Sequence, residues 1–287
     1  MRLSRTFWLA TLACLLASVG QPVQAHGPDH EAIVALTAEI TRNPGNPELL
    51  LHRGERFRSH GDLASARLDF QAALSNHPAC HPARLRLALV ARDQDKLPES
   101  LQLLDQTLAA QPTNLLARVA RADVLIRSGR PGEAIPEYDR IIADSPQPRP
   151  DVFLSRSRTL LAHDTNAWAR ALEGVEDGIR RLGPVPSLQL HALELEERGG
   201  RVDAALARID AIMAGMDRRE RWLARRGNVL LAAGRTRDAR TEYQRSLAAL
   251  DRLPERLRRT IASEELRHEL EAKLAVNPSG NQTSPSR

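Results

Sequence analysis

Small and bulky apolar residues recur along this chain every 34 positions. Residues 47–80, 81–114 and 115–148 align without a gap: the eighth position is Gly54, Ala88 and Ala122, and the twentieth is Ala66, Ser100 and Ala134. The twenty-fourth position is Phe70, Leu104 and Tyr138, the twenty-eighth Leu74, Leu108 and Ile142, and the thirty-second Pro78, Pro112 and Pro146. Each block predicts two amphipathic helices. His60-Gly61-Asp62 and Ser128-Gly129-Arg130 put glycine where a first helix ends in a left-handed residue. The proline column cannot continue a second helix. Ala, Leu and Arg abound while Val and the aromatic residues are scarce, which favours helix over any sizeable sheet.

The column pattern resembles the tetratricopeptide repeat family, in which small residues sit where two antiparallel helices touch, large ones lie beside them and proline follows. The resemblance implies an all-α fold, a right-handed α-solenoid of antiparallel helix hairpins. A side chain larger than Ala at the eighth or twentieth position would hold the axes apart, so Gly54 is expected to lie against Ala66. Three further copies follow, at about 149–184, 185–218 and 219–252, making six between residues 47 and 252. The fourth is two residues longer and keeps Ala171, Val175 and Ile179, its turn lengthened by His163 to Asn166. The fifth keeps Gly200, Ala205, Ile209 and Met213; the sixth keeps Gly227, Leu230, Gly234, Ala239, Tyr243 and Leu247.

Array ends need covering, because an unpaired hairpin face leaves apolar surface in water. Residues 26–46 supply one candidate, a helix from His30 to Arg42 capped by Asp29 with Ile33, Leu36 and Ile40 on one face. Residues 253–276 supply the other, a single closing helix with Leu257, Ile261, Leu266, Leu270 and Leu274. The tail, 277–287, has the composition of a disordered segment, and Asn281-Gln282-Thr283 matches a glycosylation acceptor.

A second regularity concerns charge. The seventh position of four copies is Arg53, Leu87, Arg121 and Arg226, and the twenty-third is Asp69, Leu103, Glu137 and Glu242. Arginine occurs where an acid faces it, which predicts an ionic tie between the two helices of a hairpin, replaced by a leucine pair in the second copy.

Residues 1–25 follow a different rule. Arg2 and Arg5 precede an apolar run from Phe7 to Val19, and Ala25 ends a segment with the form of a cleaved secretory signal. The run falls short of the ~20 apolar residues a membrane span needs. Cleavage after Ala25 is expected, giving a periplasmic or secreted protein with no stable span. It would lower the formal charge from +5 to +3 and leave Cys80 without an internal disulfide partner. The positive charge, almost all arginine, shows no concentrated basic run along the chain, which argues against nucleic acid as a partner.

The sequence carries no phosphate-cradling glycine loop, zinc-protease histidine pair or nucleophile elbow, so neither enzyme chemistry nor a cofactor is expected. The resemblance implies instead a concave groove for a protein or peptide, lined by the fifth, ninth and twelfth positions of each first helix. Those residues are Leu51, Glu55 and Arg58, Leu85, Leu89 and Arg92, and Val119, Asp123 and Ile126. The alternative is metal handling, by the loop with His77, Cys80 and His81, or by a processed terminus at His26 with His30 nearby, where imidazole and thiolate suit copper or zinc.

Overall fold

The computed structural model describes residues 28–275. Residues 1–25, expected to be a signal, His26 and the tail with Asn281 lie outside those residues. All regular structure among the described residues is helical, and the chain divides into two compact units, 1–111 and 112–287.

The first unit contains α1 (Pro28–Arg42), α2 (Pro47–Ser59), α3 (Leu63–Asn76), α4 (His81–Asp93) and α5 (Leu97–Ala110). Helices α2 and α3 form one hairpin, α4 and α5 the next, and α1 packs on α2. Asn46 Oδ1 accepts from the Glu48 amide at 2.9 Å and Asp62 Oδ1 from the Ser65 amide at 3.0 Å, satisfying donors that a helix start leaves open. Gly61 ends the first turn at φ +79°. The same place in the second hairpin is Asp95 at φ +60°, a left-handed residue that carries a side chain. Leu50, Leu51, Ala66, Phe70, Ala73, Ala83, Leu87 and Val90 make the core, with Ile40 of α1 packed against it.

Two expectations change here. The described part of helix α1 already includes 28 and 29, two residues before the expected start at His30. A Cβ placed on Gly54 would come within 2.5 Å of Phe70 Cε1, so the glycine makes room for the ring of Phe70 and not principally for Ala66. Gly227 stands in the same relation to Tyr243, at 2.4 Å. At the second copy's twentieth position, Ser100 Oγ donates to the Ala88 carbonyl at 2.7 Å, so a hydroxyl is accommodated there by bonding the facing helix.

The second unit contains α6 (Leu115–Arg127), α7 (Pro131–Asp144), α8 (Pro150–His163), α9 (Trp168–Leu182), α10 (Pro186–Arg198), α11 (Val202–Met213), α12 (Glu220–Ala232), α13 (Thr236–Asp251), α14 (Glu255–Arg258) and α15 (Ile261–Ala275). Helices α6/α7, α8/α9, α10/α11 and α12/α13 pair, and α15 packs on α13. The left-handed glycines Gly129, Gly200 and Gly234 mark one place in their hairpins. Counting back from them starts the fifth and sixth copies at 186 and 220, one residue later than the nominal bounds. In the fourth copy His163 is the last residue of α8, and the turn runs from 164 to 167. The two extra residues are therefore shared between a longer helix and a longer turn.

The expected single closing helix is broken. Helix α14 ends at Arg258, and Thr260 starts α15: its carbonyl accepts from the Ser263 and Glu264 amides at 2.9 and 3.0 Å, while its hydroxyl lies 3.0 Å from the Leu257 carbonyl and 2.9 Å from Ser263 Oγ. Helix α15 then buries Leu270, with Leu266 and Leu274 partly covered, on the cluster that contains Ile209, Tyr243 and Leu250. A second cluster, around Phe153, Leu160, Val175 and Leu188, holds α8, α9 and α10 together.

The ionic ties form. Arg53 donates from Nε and Nη2 to Asp69 at 2.9 and 2.6 Å and Arg121 Nη1 to Glu137 at 3.1 Å, whereas Arg226 lies 3.5 Å from Glu242 and gives its hydrogen bond to Asp210, Glu242 accepting instead from Arg245 at 2.9 Å. Leu87 and Leu103 meet in the first unit's core instead. The Asp69, Glu137 and Glu242 carboxylates are all buried, so each arginine neutralises an acid that burial would otherwise disfavour.

Candidate functional site

The groove positions named from sequence differ in what they offer. Leu51 and Leu85 are buried and present little surface. Glu55, Arg58 and Arg92 belong to one charge lattice in the first unit. Arg58 bonds Glu55 at 2.6 Å and Asp93 at 2.9 Å, and Arg92 bonds Asp93 at 2.9 Å. The hydrogen bond that Arg58 donates to Glu55 is the main reason its guanidinium is held charged above its ordinary range. These groups are committed to one another. Leu89 is half-buried, and on α6 Val119 and Ile126 are exposed with Asp123 half-buried between them.

A cleft lies elsewhere, in the second unit. It measures about 720 Å³ and is walled by α10, the α10–α11 turn, α12 and α15. Ala224 and Asn228 are the fifth and ninth positions of the sixth copy and Glu197 is the twelfth of the fifth, so groove positions of the last two copies converge here. Val202, Ala224, Val229 and Leu266 make its apolar lining, and Arg201, Arg221, Arg225, Glu197 and Glu269 its charged one. Arg225 donates from Nε and Nη2 to Glu197 at 2.9 and 3.0 Å, the interaction that most raises its proton affinity. Arg201 and Arg221 have no carboxylate partner among the described residues. Asn228 Oδ1 accepts from the Tyr243 hydroxyl at 2.9 Å and Lys273 Nζ at 2.7 Å, which leaves its amide nitrogen able to donate into the cleft. Tyr243 and Lys273 thus position the one neutral polar side chain in the wall.

Two further groups of side chains are engaged by their surroundings. Ser157 Oγ lies 2.8 Å from His191 Nε2, and His191 Nδ1 lies 3.2 Å from Glu194, an order of groups like that of a nucleophile with its base. Ser157 is only 1% exposed and His191 8%, and the buried bond ties α8 to α10. The His77, Cys80 and His81 loop is also dispersed: the His77 ring bonds the Gly45 carbonyl at 2.9 Å, and the His81 ring lies 3.3 Å from the Arg84 guanidinium. Among the described residues no three His, Cys, Asp or Glu side chains converge to hold a metal ion; His30 is exposed on α1.

The tetratricopeptide repeat model matches residues 51–114 and 85–148. Residues 51–148 are thus similar to the tetratricopeptide repeat family. None of the curated proteins matches the chain. Among solved structures, the C-terminal part of a tetratricopeptide-repeat protein from Cytophaga hutchinsonii is 12% identical with a TM-score of 0.62, over 80% of this chain and 93% of that one. A tetratricopeptide repeat protein from Parabacteroides merdae is 17% identical with a TM-score of 0.50, over 86% of this chain and 93% of that one. The structure of Naa15/Naa10 bound to HypK-THB is 14% identical with a TM-score of 0.53, covering 86% of this chain and 37% of that one. At such identities the likeness speaks for the fold alone.

The sequence signal that could have found the cleft was present. Arg201 and Arg221 lie in a stretch, 198–245, that holds twelve arginines and six carboxylates, more net positive charge than the whole chain carries. The arginines make no run in sequence, yet Arg201, Arg221 and Arg225 meet in the lining of one cleft when the helices fold.

Proposed function

We propose that this protein is a non-catalytic scaffold of the periplasm or the extracellular space, which holds a peptide segment of another protein against α10, α12 and α15. The observation that carries the reading is the cleft of about 720 Å³ whose walls are groove positions of two successive repeats closed by a terminal helix. Its apolar lining can bury an aliphatic side chain, and the arginine and asparagine groups can orient a backbone. The location rests on residues 1–25, whose charged start, apolar run and terminal Ala25 have the form of an export signal.

Two measurements test the two parts. A photocrosslinking amino acid replacing Ala232, in the cleft, is expected to trap discrete partner adducts that the same group at Gln244, exposed on α13, does not. Equal labelling at both positions removes the cleft as the site. Mass spectrometry of the N-terminus from fractionated cells is expected to find His26 first; a chain starting at Met1 in the cytoplasm removes the location.

A further inference from the structure

We infer that the segment held in the α10/α12/α15 cleft is acidic, with a carboxylate next to an aliphatic side chain. This rests on the reading of the cleft as a peptide site and adds the chemistry of its occupant.

The inference comes from charge left over after the internal pairs are formed. Arg208, close by, is fully consumed: it donates to both oxygens of Glu196 at 2.9 and 2.8 Å, to Gln189 at 2.6 Å, and also to Glu176. Arg218 is taken by Glu220, and Arg225 gives two of its nitrogens to Glu197. Glu269 is engaged by Lys273. Arg201 and Arg221, both exposed, remain at the cleft without an acid among the described residues. Of the arginines around the cleft, Arg208, Arg218 and Arg225 are matched by carboxylates and these two are not.

Guanidinium groups present planar paired donors that match a carboxylate, and a site with surplus positive charge gains both affinity and association rate from a negative partner. Between the arginines the lining is Val202, Ala224, Val229 and Leu266, a bed for Leu, Ile or Val and too small in its branches to stack bases. Glu197 and Glu269 in the same lining would repel a row of phosphates. A peptide with an isolated acid beside an aliphatic residue fits both features, and nucleic acid fits neither.

The test uses the full chain and a phage-displayed library of random short peptides, selected on immobilised protein. Enriched sequences are resynthesised with a fluorophore and titrated by anisotropy. The expected peptides carry Asp or Glu flanking Leu, Ile or Val. They lose roughly tenfold in affinity against the double variant Arg201→Glu, Arg221→Glu, and weaken as salt rises. Both side chains are exposed, so circular dichroism and melting of the double variant should match the parent. Neutral apolar peptides that ignore the double variant but are blocked by Ala232→Arg would overturn the acidic occupant and leave the cleft standing. Peptides indifferent to both variants would overturn the cleft as well. Single-stranded oligothymidylate that binds more tightly than any peptide, and displaces it, would overturn the inference in favour of nucleic acid.

Discussion

Gly54 separates what a repeat pattern can and cannot reveal. That the eighth position must be small is legible from three aligned blocks. Which side chain requires it is not, because a column of small residues does not say whether the small twentieth or the bulky twenty-fourth column faces it. The structure answers with Phe70, fully buried, whose ring occupies the place of a methyl. Alanine normally favours a helix interior over glycine by about 1 kcal/mol. Gly54→Ala is nevertheless predicted to destabilise by about 1–2 kcal/mol, since overpacking typically costs about 1–3 kcal/mol. The double variant Gly54→Ala, Phe70→Leu copies the Ala88/Leu104 pair of the next hairpin and should recover part of that loss in urea unfolding; equal losses for both proteins would show that the ring is not the reason. Asp95 was illegible for the opposite cause, since nothing in an aspartate announces φ +60°. Gly stands at the equivalent place in four other hairpins, so Asp95→Gly is expected to raise stability by about 0.5–1 kcal/mol, read as a higher melting temperature.

At the scale of helices, the ionic ties can be weighed against their apolar substitute because the chain contains both. Arg53→Leu strands the buried Asp69 carboxylate, a loss of about 3–5 kcal/mol where one partner of a buried pair is removed. Arg53→Leu with Asp69→Leu reproduces the Leu87/Leu103 arrangement and should restore most of it. Melting temperatures that are equal in both variants would show that the carboxylate does not need its arginine. The start of α3 gives a prediction in pH. Bonds from Ser65, its side chain first and its amide second, hold the Asp62 carboxyl below its ordinary range. A depressed folded pKa means the cap stabilises above the unfolded value of about 3.9 and is lost as pH falls through the folded one. Asp62→Asn should keep most of the cap at neutral pH while flattening the acid limb of a stability curve; an unchanged acid limb would show that Asp62 contributes nothing there. Helix existence was legible throughout, from Asn and Asp before starts, Pro within first turns and Gly after ends. The break between α14 and α15 was not, because Thr260 is an ordinary helix residue by propensity and becomes a start only through its bonds to Leu257 and Ser263.

For the molecule as a whole, a formal charge of +5 describes its surface poorly. The surplus lies between residues 198 and 245, and the remainder of the chain is close to balanced. Cation-exchange retention should therefore follow the patch. Arg201→Glu with Arg221→Glu is predicted to elute well before Arg56→Glu with Arg127→Glu, although both pairs change net charge equally; co-elution would mean that charge acts as a sum. The candidate site was only half legible for the same reason. Groove positions could be counted along α2, α4 and α6, but which of them remain unspent depends on pairings such as Arg58 with Asp93 that no column shows. Helix α15 carries the last consequence. It was expected as a lid that merely shields the end of an array, yet Leu266 and Glu269 face the cleft while Leu270 anchors the helix from behind. Joined to the rest by the short link at Thr260, it works like one interchangeable jaw of a vice, so grafting a different terminal helix onto the same anchor is a route to retuning what this protein grips without rebuilding its frame.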